Sequence, residues 1–471
     1  MSTQDLWINS PFLSLVITGV IALLVEGARK NASLSGAITQ LGLIVAIALA
    51  IFTFWETAPS FSNMVQTGGY ANYFTLLFLV SALLTVILSK PYLERTRWHR
   101  GEFYLLIIFA TSGMILMASA LDLIVLFLGL ELMSVSLYVL AGFARTKLIS
   151  NESGLKYFLL GAFATGFLLY GIALIYGTAG TTNLPAIAEQ FTRLADNTLF
   201  LIGVGMLIVS FSFKVAAVPF HMWAPDVYQG APTTVTAFMS TGAKAAAFAA
   251  FVSVFLRTFE FSGARVNEAL AYSAAASMIL GNVIAIAQTN LKRLLAYSSI
   301  AHAGYMLVGL AAANNEGQTG ILFYLSAYTA MNLGAFGIIS LMEQEGDKNL
   351  TFDDYAGLSS RRPFVAALMA VFMFSLAGIP PFAGFFGKYY VFLAAVKADM
   401  TWLAVIGVLT SVVSVYYYLR LVVTMYFRDG EADLPAQPTK LALAVLCLAA
   451  LVVLQLGLFP STILDITQRF F

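Results

Sequence analysis

Apolar runs of membrane-spanning length follow one another along nearly all of this 471-residue chain. A bilayer core needs about 20 predominantly apolar residues per helix, and about fourteen windows of the sequence meet that requirement. The windows lie roughly at residues 11–27, 35–54, 72–89, 103–119, 121–143, 155–177, 198–219, 233–256, 270–288, 294–313, 320–342, 364–396, 401–427 and 439–459. The sequence shows no ten-residue segments of alternating polarity, which excludes an outer-membrane barrel. The pattern therefore predicts an all-α integral membrane protein.

Two of the windows contain helix breakers. The twelfth window, 364–396, is too long for one straight span and is interrupted by glycines and prolines: Gly378, Pro380, Pro381, Gly384 and Gly387. The seventh window runs into Pro219, and Pro225 follows. Proline removes an amide donor, and broken helices survive in lipid only where protein or water covers the freed backbone. We therefore predict that the seventh and twelfth helices are broken.

The two interrupted windows share a sequence echo. Phe211-Ser212 leads to Pro219-Phe220, and Phe374-Ser375 leads to Pro381-Phe382, five helices later. A five-helix unit repeated at an odd offset is inverted in the membrane, and inverted repeats with discontinuous helices are typical of transporters. We therefore predict four segments: helices 1–3 in residues 1–102, a first repeat of helices 4–8 in 103–256, a second inverted repeat of helices 9–13 in 270–427, and helix 14 in 439–471.

Basic residues are distributed unequally between the two sets of loops. The loops that follow odd-numbered windows hold most of them: Arg29, Lys30, Lys90, Arg95, Arg97, Arg100, Arg145, Lys147, Lys292, Arg293, Lys348, Arg361, Arg362, Arg428 and Lys440. The even loops and the termini hold fewer: Arg193, Arg257, Arg265, Lys397 and Arg469. Because cytoplasmic loops are enriched in Lys and Arg, we expect the odd side to face the cytoplasm. An even helix count then places both termini on the opposite, periplasm-like side.

Composition supports the membrane assignment and excludes several functions. Hydrophobic residues make up 60% of the chain and charged residues 10%, whereas soluble domains have about 45–50% and about 25%. A net charge of +1 gives no electrostatic case for nucleic acid as a partner. The single cysteine, Cys447, forms no disulfide or iron–sulfur cluster by itself. The three histidines lie far apart in the sequence, so no metal site is readable.

Four ionisable residues stand inside apolar windows: Glu131, Lys214, Lys244 and Lys388. A charge at mid-bilayer depth costs roughly 2.5–3.5 kcal/mol on insertion scales, so such residues usually serve function. One interpretation of Glu131 is a packing carboxylate; the other is a carboxylate that stabilises a charged lysine nearby. Lys244 has small neighbours and no acidic residue within one turn, so any partner comes from another helix. Lys388 follows the predicted break, where a frayed helix end admits water.

Two further residues are candidates for a weaker role. His302 lies among serines and a tyrosine inside a window, and an imidazole suits proton relay, although a lone helical histidine is often structural. Lys156 begins the sixth window and either modulates the buried charges or extends its amine to the membrane surface.

Two strings carry a family resemblance, FHMWAPDVYQGAP at residues 220–232 and LLAYSSIAH at 294–302. They closely resemble the antiporter-like subunits of respiratory complex I, most specifically the subunit N family of proton-translocating NADH:quinone oxidoreductases. The resemblance covers essentially the whole chain and implies fourteen helices, two inverted five-helix repeats and broken helices 7 and 12. It implies that the proton-carrying residues are Glu131, Lys214, Lys244, His302 and Lys388, with Lys156 modulating.

The same resemblance implies a place in a larger assembly. The chain would be a translocase subunit without a redox centre, and NADH, FMN, iron–sulfur clusters and quinone would belong to partner subunits. The expected partners are other membrane-arm subunits, including neighbouring antiporter-like subunits, and the lipid bilayer. Protons would enter from the cytoplasm, load Lys214 and Lys244, pass His302 and reach Lys388. A related cation/proton antiporter and a purely structural scaffold remain alternatives.

Overall fold

A computed structural model describes residues 3–259, 264–430 and 437–470 of the chain. The first two residues of the predicted segment 1–102 and Phe471 of the segment 439–471 lie outside them. The described helices are α1 (Thr3–Ile8), α2 (Ser10–Arg29), α3 (Ala32–Phe52), α4 (Gly69–Arg95), α5 (Gly101–Ser119), α6 (Leu123–Ala141), α7 (Leu148–Ala179), α8 (Leu184–Glu189), α9 (Phe191–Leu194), α10 (Thr198–Val215), α11 (Trp223–Gly230), α12 (Thr233–Phe238), α13 (Lys244–Val252), α14 (Ala264–Ile286), α15 (Leu291–Ala312), α16 (Asn315–Met342), α17 (Leu358–Arg361), α18 (Pro363–Ala377), α19 (Ala383–Lys397), α20 (Thr401–Phe427), α21 (Lys440–Leu458) and α22 (Ser461–Thr467).

Shorter elements complete the fold. Two π-helical segments, π1 (Met239–Ala243) and π2 (Ser253–Thr258), flank α13. Short 3₁₀ turns cover Asp353–Tyr355 and Gln468–Phe470. Strands β1 (Ala58–Ser60) and β2 (Val65–Thr67) form an antiparallel hairpin in which Ala58 lies opposite Thr67. The apolar-window pattern predicted neither the π segments nor the hairpin.

The helices have the length and composition that the apolar windows predicted. Within the described ranges, thirteen helices are long and apolar enough to cross a membrane, which confirms the all-α membrane class. The twelfth window is instead two shorter helices, α18 and α19, separated by residues 378–382. The seventh window is also interrupted, because α10 ends at Val215 and the next helix begins at Trp223. The arrangement as two inverted five-helix repeats stays a prediction.

Polar side chains set several helix boundaries. Asn31, Asp122 and Asn290 each precede a helix, and each side chain accepts a hydrogen bond from a backbone N–H of the first turn. Such caps satisfy donors that have no partner within the helix. At the C-terminal end of α7, Gly180 has φ +72 and continues the chain in the left-handed conformation, which favours glycine.

The chain folds into two compact units. Unit 1 comprises Met1–Val86, His99–Val215 and Gly242–Phe261. In it α5 packs against α2, α3, α6 and α13, and α7 packs against α6 and α10. Apolar side chains on α2, among them Leu23 and Leu24, are exposed. Exposed apolar faces of this kind suit contact with lipid.

Unit 2 comprises Ile87–Trp98, Ala216–Thr241 and Ser262–Phe471. Its centre is formed by α15 and α16, on which nearly every residue is buried. The interrupted backbone after α10 is covered here: Val218 N donates to Ser277 Oγ (2.9 Å), and Ser273 Oγ donates to Val218 O (2.6 Å). The serines of α14 therefore satisfy polar backbone groups that a break would otherwise expose to lipid.

Candidate functional site

Lys214 lies in the last turn of α10 and is 6% exposed. Its Nζ donates to Ser134 Oγ (2.7 Å) and to Tyr138 OH (3.2 Å), both on α6. The ammonium also lies 5.4 Å from the centroid of the Tyr138 ring, a geometry that stabilises a cation. The buried amine is thus held by neutral groups that accept hydrogen bonds.

Glu131 lies on the same helix as these partners and is partly buried. Thr165 Oγ1 of α7 donates to its Oε1 (2.7 Å). The carboxylate interacts electrostatically with Lys214, although the ammonium makes its direct contacts with hydroxyl groups. The structure therefore brings Glu131 and Lys214 into one cluster on α6, α7 and α10, with hydroxyl side chains between the helices.

Lys244 is 2% exposed and is the first residue of α13, directly after π1. Because α13 packs against α5 and α10, these helices adjoin the lysine; that its partner comes from another helix stays a prediction. In a π turn the backbone hydrogen bonds join residues five apart in place of four, and such turns are frequent at functional sites. The position of π1 therefore adds a structural reason to single out this lysine.

Lys156 lies two turns inside α7, where Nζ pairs with Glu152 Oε1 (2.6 Å). The two side chains are 40% and 54% exposed, and an exposed i,i+4 pair contributes little to stability. Of the unit 1 candidates, Lys156 is the one with the most exposed amine.

His302 lies in the middle of α15 and is 1% exposed. Its Nδ1 is hydrogen-bonded to Tyr324 OH (2.8 Å) and its Nε2 to Tyr418 OH (3.0 Å). Tyr418 OH is also hydrogen-bonded to Ser298. Since both ring nitrogens contact hydroxyl groups, the imidazole is placed to take a proton on one side and release it on the other.

Lys388 lies in the second turn of α19 and is 4% exposed. Its Nζ donates to Leu376 O (3.2 Å) and Ala377 O (2.9 Å) at the end of α18, and to Ser411 Oγ (2.7 Å). The lysine thus satisfies carbonyl groups that the predicted helix break frees. Gly378 follows these carbonyls with φ +86, and a Cβ there would lie 3.1 Å from Lys388 Nζ.

Sequence reasoning missed a set of polar side chains beside Lys388. The ammonium lies 4.9 Å from the Tyr305 ring centroid. Asn282 Nδ2 donates to Tyr305 OH (3.1 Å), and Tyr417 OH donates to Asn282 Oδ1 (2.8 Å). The rings of Tyr417 and Tyr418 are 4.4 Å apart. These contacts continue from Lys388 towards the His302 cluster, which consists of His302, Tyr324, Tyr418 and Ser298. The adjacent tyrosines within an apolar window were the available sequence signal.

Lys388 also borders a cleft of about 650 Å³ whose walls are formed by α19 and α20. Ser411 contributes a hydroxyl group to it, whereas most other lining residues, among them Val408 and Leu409, are apolar. The cleft therefore opens beside Lys388 on an exposed, mostly apolar face of α20. In the part of the chain that the structure describes, no group of three or more His, Cys, Asp or Glu side chains is placed to hold a metal ion.

Known proteins are similar to this chain in sequence and in fold. A family described as NADH:quinone oxidoreductase/Mrp antiporter, TM, matches residues 120–414. NADH-quinone oxidoreductase subunit N of Trichlorobacter lovleyi is 50% identical over 476 residues, covering 99% of this chain and 97% of that protein. A chain of respiratory complex I from Thermus thermophilus is 38% identical with a TM-score of 0.85, covering 97% of this chain and 98% of that one.

A more distant likeness concerns the fold alone. A chain of the Mrp complex from Dietzia sp. DQ12-45-1b is 20% identical with a TM-score of 0.86, covering 99% of this chain and 97% of that one. The full-length identity to proteins named subunit N is much higher. The chain therefore belongs to the NADH:quinone oxidoreductase/Mrp antiporter membrane family, and within it to the subunit N proteins of NADH-quinone oxidoreductase.

Proposed function

We propose that this chain translocates protons across a bacterial inner membrane as one subunit of an NADH:quinone oxidoreductase. The observation that carries the proposal is a set of three buried lysines. Lys214 and Lys244 lie in segments of membrane-spanning character, and Lys388 lies in the shorter helix α19 that follows the second interruption. Burying amines in an apolar medium is costly, and a scaffold would not require it. The family membership points to the same function.

In unit 1, protons from the cytoplasmic side load Lys214 and Lys244. Glu131 stabilises the charged form of Lys214 through its electrostatic interaction, and displacement of charge near Glu131 weakens that effect. The amine then releases its proton to the hydroxyl groups or water beside it. Lys156, closer to the surface, modulates the charge balance.

In unit 2, His302 and Lys388 carry the proton further. His302 exchanges protons with Tyr324 and Tyr418, to which its ring nitrogens are hydrogen-bonded. Lys388 receives the proton beside Ser411. The two interrupted helices belong to inverted repeats, residues 103–256 and 270–427, and both termini lie on the periplasmic side.

The energy for this movement comes from partner subunits. NADH, FMN, iron–sulfur clusters and quinone bind there, and neighbouring antiporter-like subunits transmit the charge displacement to Glu131. Coupling free energies of about 1–3 kcal/mol are typical between linked sites. A subunit of a cation/proton antiporter is the second candidate, supported by the shared fold of the Mrp chain. Co-purification with flavin and iron–sulfur subunits would favour the first function over the second.

The lysine of unit 2 provides a direct test. Lys388→Met removes the amine and keeps the side-chain volume, so we expect the complex to assemble and proton pumping to fall about 100-fold or more, as for loss of a proton-transfer group. Linked NADH oxidation should fall with it. The measurement is NADH-driven acidification of inverted membrane vesicles, normalised to the amount of assembled complex.

A lysine on the same helix serves as the control for Lys388→Met. Lys397 lies at the end of α19, is half exposed and pairs with Glu316. Lys397→Met should pump at the wild-type rate. Equal pumping by Lys388→Met and the wild type would refute the role of Lys388.

A further inference from the structure

A buried carboxylate lies outside the clusters described above. Glu343 follows the last residue of α16 and is 1% exposed. Tyr92 OH donates to its Oε1 (3.2 Å), and Thr233 Oγ1 donates to its Oε2. Arg95 Nε donates to the backbone O of Glu343 (2.9 Å), and its Nη2 donates to Ser340 O. The carboxylate therefore lies where the ends of α4, α12 and α16 meet.

The surroundings of Glu343 combine one cation at short range with neutral hydroxyl donors. The guanidinium of Arg95 interacts electrostatically with Glu343 but donates to carbonyl oxygens rather than to the carboxylate. Tyr355 also lies close enough to interact with Glu343, and its hydroxyl is buried without a hydrogen-bond partner among the described residues. The further ionisable groups around these side chains are Asp347, Asp354 and Arg362. A carboxylate held by hydroxyl groups can accept and release a proton without breaking an ion pair.

Polar residues connect Glu343 to the His302 cluster along one helix. Residues four apart on a helix are neighbours on successive turns, and a row of them winds around the helix at an angle to its axis. One such row on α16 contains Tyr324, Tyr328, Asn332, Phe336 and Ser340. Tyr324 is the hydrogen-bond partner of His302 Nδ1, and Tyr328 lies 5.1 Å from the His302 ring. We call this row, with Glu343 at its end, the α16 polar row.

Asn332 is the central residue of the α16 polar row and is 0% exposed. Its side-chain amide interacts with Tyr328, one turn earlier on α16, but neither Nδ2 nor Oδ1 meets a partner at full hydrogen-bonding geometry among the described residues. The hydroxyl of Thr329 is likewise buried without such a partner. Buried polar groups are almost always hydrogen-bonded, to ordered water where protein groups do not serve. The amide and the hydroxyl, one turn of helix apart, therefore mark a place for bound water between Glu343 and His302.

We propose that Glu343 is a proton-binding residue that exchanges protons with His302 through water held along the α16 polar row by Asn332. This inference rests on the proposed function and adds a carboxylate that supplies protons to His302 and Lys388 in unit 2. The protonated carboxyl group releases its proton to water, the water chain passes one proton along, and an unprotonated ring nitrogen of His302 accepts it. Glu343 is then reprotonated from the side of the membrane on which Arg95 lies.

One apolar side chain interrupts the α16 polar row. Phe336 is fully buried and makes an edge-to-face contact with Tyr228, with ring centroids 6.4 Å apart. Glu343 and Tyr324 are separated along the helix by about 28 Å at 1.5 Å per residue, so water on both sides of Phe336 is needed. In this structure the Phe336 ring interrupts the row and so prevents free leakage of protons. Displacement of the ring would connect the water on its two sides.

The competing explanation is that Glu343 only holds three helix ends together. Glu343→Gln separates the two explanations, because the amide accepts one hydroxyl hydrogen bond and donates to the other hydroxyl oxygen after that hydroxyl rotates. The glutamine therefore keeps the clamp and loses the proton site. Asn332→Leu keeps the volume and removes the polar groups that hold water. Glu345→Gln is the control, since Glu345 lies two residues away and its side chain is 58% exposed.

The test measures NADH-driven proton pumping of the whole complex in vesicles carrying each variant, normalised to assembled complex. We expect Glu343→Gln and Asn332→Leu to lower pumping about 100-fold, the lower end of the effect of losing a proton-transfer group, and Glu345→Gln to match the wild type. Infrared difference spectra on NADH addition should show a carboxyl signal that Glu343→Gln removes. A purely structural Glu343 would give no such signal.

The outcomes separate this inference from the proposed function. Wild-type pumping by Glu343→Gln, or by Asn332→Leu if the glutamine variant does not assemble, overturns the inference. If Lys388→Met abolishes pumping while these variants pump normally, the inference alone fails. If Lys388→Met also pumps normally, the proposed function fails as well.

Discussion

Each buried lysine with described contacts is held by neutral oxygen atoms. Lys214 donates to a serine and a tyrosine hydroxyl, and Lys388 donates to two carbonyls and a serine. An unpaired charge in an apolar medium is expensive, and these contacts lower that cost without fixing the charge. For Lys388 the same contacts also satisfy carbonyls at the end of α18. Charge and helix break therefore stabilise each other at this position.

Gly378 allows a test of that mutual arrangement. Its φ of +86 disfavours any side chain, and a Cβ would lie 3.1 Å from Lys388 Nζ. Gly378→Ala should lower stability by about 1 kcal/mol through backbone strain and should also displace the amine, so that proton pumping falls. Thermal unfolding of the purified complex and vesicle acidification measure the two effects.

Gly180 provides the matched control for Gly378→Ala. It has φ +72, and a Cβ there would meet nothing within 4 Å. Gly180→Ala should show the same loss of stability with normal pumping. If both variants pump normally, the close approach of Gly378 to Lys388 has no functional importance.

The sequence predicted the helices and their interruptions better than it predicted the contacts between side chains. Apolar length and the positions of Pro219, Gly378 and Pro381 were sufficient to predict the spans and both interruptions, because lipid demands long apolar helices and proline ends them. The π segments depend on packing around a helix, and no residue pattern marks them. The hairpin at residues 58–67 is too short for a periodic signal.

The candidate residues themselves were visible because charges are rare in apolar windows. Their partners were not visible, since Ser134, Ser411 and Asn282 come from helices distant in sequence and are ordinary residues by composition. Glu343 was hidden for a different reason: it stands at the end of a window, where a carboxylate is normally solvated. Only its burial in the structure sets it apart.

The contact between α5 and α6 places another prediction at this scale. A Cβ at Gly129 would lie 2.8 Å from Gly113 O and 2.9 Å from Met117 N. Gly129→Ala should therefore force the helices apart and lower stability by about 1–3 kcal/mol. Because Gly129 precedes Glu131 by two residues, pumping should fall as well. Thermal unfolding and vesicle acidification give the readouts.

Gly166 is the control for Gly129→Ala. It also lies inside a helix of unit 1, and a Cβ there would meet nothing within 4 Å. Gly166→Ala should leave stability unchanged or raise it slightly, because alanine favours helix more than glycine does. Equal losses in both variants would contradict the close packing of α5 and α6.

For the molecule as a whole, the distribution of basic residues predicts which loops face the cytoplasm. Lys348 and Arg193 are both exposed, and each lies in a connection between apolar windows, on opposite predicted sides of the membrane. After Cys447→Ser, the single substitutions Lys348→Cys and Arg193→Cys allow labelling with a membrane-impermeant thiol reagent. In intact cells we expect Arg193→Cys to be labelled and Lys348→Cys to be protected, with the reverse in inverted vesicles. Labelling of Lys348→Cys in intact cells would contradict the predicted topology and favour the opposite orientation.

The π turns on either side of α13 also matter for how the chain can move. A π turn contains one more residue than the α turn it replaces. Exchange of hydrogen-bond partners between neighbouring turns would move the extra residue along the helix. If the extra residue in π1 passed beyond Lys244, the amine would swing about the helix axis by about 100° and advance by about 1.5 Å. The helix would remain hydrogen-bonded, so the buried ammonium could change its direction without local unfolding of the helix that carries it.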